Sequence, residues 1–201
     1  SKYRNKTYEN FRKNKLEKNT VFIIDNKNHL RNLKFLLKES NSGFFFRNNL
    51  WILIPNYKNK MSKNDRNEFN NVDFIEIFPG KEKKLYLYDE ESIIGFGWTH
   101  DLNNVGVWTE GKEANIIFKF RNHERKDYKL KFKIKSAMTN NIDKLNLHIK
   151  LDGKLVKKIS FDHFNNKDNK FIDINLKQEN LIKELHKVDF IIDNPVSPLS
   201  L

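Results

Sequence analysis

The chain has 201 residues, 38 Lys and Arg against 26 Asp and Glu for a formal charge of +12, 13% aromatic side chains and no cysteine. The missing cysteines exclude disulfides, Cys-ligated zinc and thiol catalysis, and the aromatic content argues against disorder. No apolar run reaches the roughly 20 residues that cross a bilayer, no signal peptide is visible, and the start at Ser1 reads as that of a piece cut from something longer.

Residues 1–19, "SKYRNKTYENFRKNKLEKN", are basic and helix-permissive, with sparse apolar positions at Tyr3, Tyr8, Phe11 and Leu16. Two readings stand side by side: a solvated surface helix, or a juxtamembrane segment whose Lys and Arg meet an anionic membrane surface at ~1 kcal/mol each. "TVFIID" (20–25) predicts a short buried strand. "NKNHLRNLKFLLKES" (26–40) repeats Leu30, Leu33, Leu36 and Leu37 at helical spacing, with Asn26 or Asn28 as a cap and "NSG" as a stop. "FFFRNNLWILIPN" (44–56) predicts another strand closed by Pro55, so that 20–71 reads as a small strand–helix–strand segment followed by a polar loop at 58–71. No Gly-rich turn follows the first strand, so a dinucleotide or P-loop fingerprint is absent.

From "VDFIEIF" (72–78) onward the hydrophobic period becomes two. In "YKLKFKIKS" (128–136), Tyr128, Leu130, Phe132 and Ile134 fall on one face and four lysines on the other. "LNLHIKLDGKLVKKISF" (145–161) alternates likewise and turns at Asp152-Gly153, a hairpin signal. "KFIDINL" (170–176) predicts a strand, "QENLIKELHKV" (178–188) a short helix, and "DFIIDNP" (189–195) a last strand. The fold class is therefore mainly β: an antiparallel β-sandwich over 72–201, jelly-roll-like, preceded by the small α/β segment, with about seven or eight strands. Leu130, Phe132, Ile134, Leu147, Ile149 and Ile174 are the predicted core positions.

Chemistry concentrates in "GFGWTHDLNNVGVWTEG" (95–111), which holds two of the three tryptophans and four of the seven glycines. The glycines of "GFGW" allow a bulge or a close backbone approach. Trp98, His100, Asp101, Trp108 and Glu110 are the candidate ligand-binding residues: an indole face stacks on a pyranose ring and the polar groups bond its hydroxyls. The structural alternative makes Trp108 a core plug and Trp98 a lid, with Trp98 the more exposed of the two. Asp101 and Glu110 also form a carboxylate pair of the type glycosidases use, and with His100 they define the rival reading, a hydrolase or transferase. No catalytic residue is assigned, because no nucleophile elbow accompanies His100-Asp101. The six histidines show no zinc-ligand spacing, so neither metal nor cofactor is expected.

The charge of +12 has two explanations. It attracts anionic lipid headgroups, phosphoglycans and nucleic acid, or it reflects AT-rich codon usage, which yields Lys, Asn, Ile and Phe together. The lysines are spread over the whole chain, which argues against nucleic acid as partner.

Three blocks, "GWTHDLNNVGVWTEGKEANIIFKF", "LHIKLDGKLVKKISF" and "VDFIIDNPVSPLSL", give the second half of the chain its family likeness. It resembles the C-terminal β-sandwich accessory domain of bacterial membrane-bound glycosyl and phosphoglycerol transferases of envelope polysaccharide synthesis. The matching positions are Gly97-Trp98, Gly106 to Gly111, Asp152-Gly153, and Asn194, Pro195, Ser197 and Pro198, in family order and spacing over about 92–201. The family usually continues past the Ser-Pro block, and the first ninety residues match none of it. The resemblance implies a carbohydrate-related role in a larger transferase. With no catalytic residue assigned, the reading is a non-catalytic module, glycan- or lipid-headgroup-facing, in the cell envelope, with the extracytoplasmic face of the membrane favoured and the cytoplasmic side as the alternative. A third reading is a purely structural sandwich that braces a partner protein.

Overall fold

The computed structural model of the protein describes residues 21–24, 30–32, 42–48, 50–55, 62–82, 92–100, 106–109, 111–136, 143–162 and 170–195. It is a mainly β protein of antiparallel sheets in a sandwich-like arrangement, as the switch to a two-residue period foretells.

The first sheet contains β1 (Phe22–Ile24), β2 (Ser42–Arg47) and β3 (Leu50–Pro55), in the order β1-β3-β2 and antiparallel throughout. Where a single strand is expected over 44–56, the chain makes a tight hairpin instead. Asn48 turns it with φ 49°, a left-handed conformation that Asn tolerates better than most residues. An Asn-Asn pair replaces the usual Asn-Gly here, which is why the turn is hard to read. Ile24, Leu30, Phe44, Trp51, Leu53 and Val72 form the first core. Leu30 lies in the helical turn 30–32; the rest of the expected helix at 26–40, like the basic segment 1–19, falls outside the described residues.

The expected loop at 58–71 is corrected to a helix, α1 (Lys63–Asn71), packed on β2. Ser62 caps it: its Oγ accepts the Asp65 amide at 3.1 Å and donates to Asp65 Oδ2 at 2.6 Å. "SKND" thus supplies a serine N-cap with Asp65 bonded back to its hydroxyl, legible in the sequence but hidden by its polar surroundings.

The larger core lies between two sheets. One has four strands in the order β6-β11-β8-β9: β6 (Glu113–Lys119), β8 (Lys144–Leu151), β9 (Lys154–Asp162) and β11 (Leu185–Ile192). The other pairs β7 (Tyr128–Ile134) with β10 (Lys170–Leu176). Between them pack Ile116 and Phe118 of β6, Leu147 and Ile149 of β8, Ile172 and Ile174 of β10, and Val188 and Phe190 of β11. Leu147, Ile149 and Ile174 are buried as expected. Leu130, Phe132 and Ile134 face the same core but are only half-buried.

The β8–β9 hairpin turns at Asp152 (φ 49°) and Gly153 (φ 86°). Positive φ at both central residues is the type I′ geometry that Asp-Gly signals and that matches strand twist.

The expected helix at 178–188 is mostly strand. Only Gln178–Asn180 form a 3₁₀ turn, and β11 begins at Leu185. Leu181, Ile182, Leu185 and Val188 suggest a helical period, yet β11 is the strand between β6 and β8, and pairing on both sides overrides that local pattern. "VDFIEIF" also departs from expectation. It forms no strand but a single parallel bridge, Glu76 to Lys119.

Candidate functional site

The motif at 95–111 begins by wrapping the outer edge of β6. The Gly95 amide donates to Asn115 O (2.8 Å), and the Asn115 amide donates to Phe96 O (3.0 Å). A Cβ on Gly95 would stand 1.7 Å from Asn115 Oδ1, and one on Gly97 (φ 82°) 2.0 Å from Glu113 O. Both glycines are therefore required by close backbone approach, as "GFGW" suggests. Asn115 is fully buried, and its Oδ1 accepts the Phe96 amide at 3.3 Å.

The chain then enters β4 (Trp98–His100), which pairs antiparallel with β5 (Val107–Thr109): Trp98 opposite Thr109, Thr99 opposite Trp108, His100 opposite Val107. Cross-strand partners share a face and neighbours alternate. Trp98 and Trp108 therefore lie on opposite faces of this ribbon, and the two indoles cannot form one platform.

Their environments differ accordingly, in the reverse of the expected order. Trp98 is the half-buried one. Its Nε1 donates to Asn115 O at 2.6 Å, and its ring meets Phe190 edge-on at 5.5 Å. Phe190 in turn meets Phe132 at 5.4 Å, so the indole is docked on the main core through an aromatic chain. Trp108 is the exposed one, at 37%. The indole N–H explains the reversal: the backbone carbonyl of a buried β6 residue gives Trp98 the acceptor that a buried tryptophan needs.

Among the other candidates, His100 is placed only by its backbone, at the end of β4, and Asp101 and Glu110 lie outside the described residues. The structure thus sets Trp98 apart from Trp108, and the Asp101–Glu110 pair lies outside the described residues. No group of three or more His, Asp or Glu side chains converges among the described residues. Asp162 ends β9, while His163 falls outside the described residues. No helix among the described residues is long and apolar enough to cross a membrane.

Two polar sites escape sequence reasoning. His186, fully buried on β11, places Nδ1 2.8 Å from Asp152 Oδ2, and the Lys187 amide donates to Asp152 Oδ1 at 2.8 Å. Asp65, also buried, accepts from Arg47 (2.8 Å), Ser62 and the Phe46 amide. The Arg47 guanidinium, then the Ser62 hydroxyl, lower its pKa to about 2. Asp152-Gly153 announces a turn, but nothing local announces that its carboxylate reaches a strand more than thirty residues on.

A cleft of about 460 Å³ opens away from the motif, at the seam where the edge strands β9 and β10 approach, with Lys157, Ile159, Lys170 and Ile172 on its walls. No family model matches the chain, and no curated protein matches it.

Proposed function

We propose that this chain is a non-catalytic, glycan-facing module of a cell-envelope polysaccharide transferase, working on the extracytoplasmic side of the membrane. The observation that carries the reading is Trp108, an indole held 37% exposed on a short strand whose partner is fixed to the core through Trp98. A rigid aromatic face of this kind stacks on the apolar C–H face of a sugar ring at little entropic cost, and neighbouring polar groups then select hydroxyls. The link to glycosyl and phosphoglycerol transferases rests on the three sequence blocks. Contact through one ring and a few hydrogen bonds implies weak binding, near the millimolar range and about −4 kcal/mol. The chain then holds an acceptor near an active site elsewhere in the parent protein.

The test is titration of the full chain with neutral and phosphoglycerol-bearing oligosaccharides, followed by tryptophan fluorescence and calorimetry. Saturable binding that Trp108→Ala removes, at an unchanged melting temperature, is the expected result. Binding that survives Trp108→Ala, or no binding across the panel, overturns the proposal. Hydrolysis of any member would favour the enzyme reading instead.

A further inference from the structure

The outward face of the β7–β10 sheet carries a regular row of cations. Lys129, Lys131 and Lys133 of β7 are exposed along it, and exposed Lys135 continues the alternation just past the strand. Alternate residues of an antiparallel strand are ~6.8 Å apart, so the four ammonium groups span a row of about 20 Å. Across the ladder Phe171 faces Lys133, Asp173 faces Lys131 and Asn175 faces Lys129. Asp173 is the acid among these paired residues and is engaged by Lys129 at 3.1 Å. Phe171 stands 74% exposed beside the cations.

We infer that this face docks on an anionic lipid surface, with Lys131, Lys133 and Lys135 at the headgroup phosphates and the Phe171 ring inserted at the headgroup–acyl boundary. The pairing of the two features selects the partner. A cationic row alone suits any polyanion, but water penalises a solitary exposed ring that a lipid interface accepts. Nucleic acid fits less well, because single strands are held by several stacked aromatics, and this face offers one ring. It also offers lysines and no arginine, point charges suited to a diffuse anionic layer more than to bidentate phosphate recognition. A sheet face is flat enough for several of these groups to touch a bilayer at once. None of these residues belongs to the Trp108 motif, and the inference does not depend on the glycan reading.

The experiment is co-sedimentation of the full chain with vesicles of phosphatidylglycerol in phosphatidylcholine, against phosphatidylcholine alone. Binding is expected to the anionic vesicles only, and to fall as salt rises from about 0.1 to 1 M, where the screening length drops from ~10 to ~3 Å. Lys131→Gln with Lys133→Gln should weaken partitioning about 25-fold, at fivefold per lysine from roughly 1 kcal/mol each. Phe171→Ser should weaken it at least tenfold, whereas Trp108→Ala should leave it unchanged. Lys154→Gln with Lys158→Gln, on β9, removes equal charge elsewhere. If that pair weakens binding as much as the β7 pair, the charge is diffuse and the inference fails. It also fails if inorganic polyphosphate or oligothymidylate binds as tightly as the vesicles and Phe171→Ser affects none of them.

Discussion

The Asp152 carboxylate holds two groups of β11 at once, the Nδ1 of buried His186 and the main-chain amide of Lys187, each at 2.8 Å. The Asp152 amide also donates to Lys187 O at 2.8 Å, so the tip of the β8–β9 hairpin is clamped to the start of β11. Removing the carboxylate strips a fully buried imidazole whose Nε2 has no hydrogen-bond partner among the described residues. Asp152→Gly suits the left-handed turn and keeps the main-chain bond to Lys187 but loses both carboxylate bonds, which should cost about 2–4 kcal/mol in urea unfolding. Asp152→Ala should cost more than Asp152→Gly, because it keeps the Cβ at φ 49° whose strain glycine relieves. Equal stability of Asp152→Gly and the parent would show that the clamp contributes nothing.

The tryptophans of the motif should separate cleanly. Trp98→Ala removes the Phe190 contact and the bond to Asn115, with an expected loss of ~3–5 kcal/mol. Trp108→Ala should cost less than about 1 kcal/mol, as for exposed positions generally. Thermal melts of the two variants check this directly; similar losses would mean that Trp108 too is packed.

The glycines of the motif are not equivalent. A Cβ at Gly95 or Gly97 collides with β6, whereas one at Gly106 meets nothing within 4 Å. Gly97→Ala, strained by φ 82° as well, should lower the melting temperature by several degrees or prevent folding. Gly106→Ala should be neutral in the same assay.

Acid should weaken the small sheet through Asp65. The Asp65 carboxyl, with its pKa lowered from 3.8 to about 2 by Arg47 and Ser62, favours the folded state while ionised. Its contribution is complete above about pH 4 and is lost as the pH falls through about 2, amounting to at most about 2 kcal/mol. Asp65→Asn should therefore be less stable than the parent at pH 7 and should flatten the stability profile between pH 4 and 2. An unchanged slope would remove Asp65 as its source.

Legibility in the sequence followed the reach of each interaction. The alternation of "YKLKFKIKS" and the Asp-Gly hairpin are local signals, and both elements form where they are expected. The resemblance blocks and the glycines pointed to 95–111, where Gly95 and Gly97 do approach a neighbouring backbone closely. The sequence misleads where long-range pairing decides. Leu185 to Val188 continue a helix-like pattern but pair with β6, more than sixty residues earlier. The roles of the tryptophans turn on one acceptor, Asn115 O, which no local pattern reveals.

The strand order also bears on how the molecule is made. β11, the last strand described, lies between β6 and β8 and is hydrogen-bonded to both. During synthesis β6 and β8 leave the ribosome with nothing yet between them, so the four-stranded sheet cannot close until residues near Ile192 have emerged. A stop codon shortly before Leu185 would thus delete the sheet's interior, not its fringe. The nascent chain must keep Ile116, Phe118 and Leu147 out of wrong partnerships until β11 arrives.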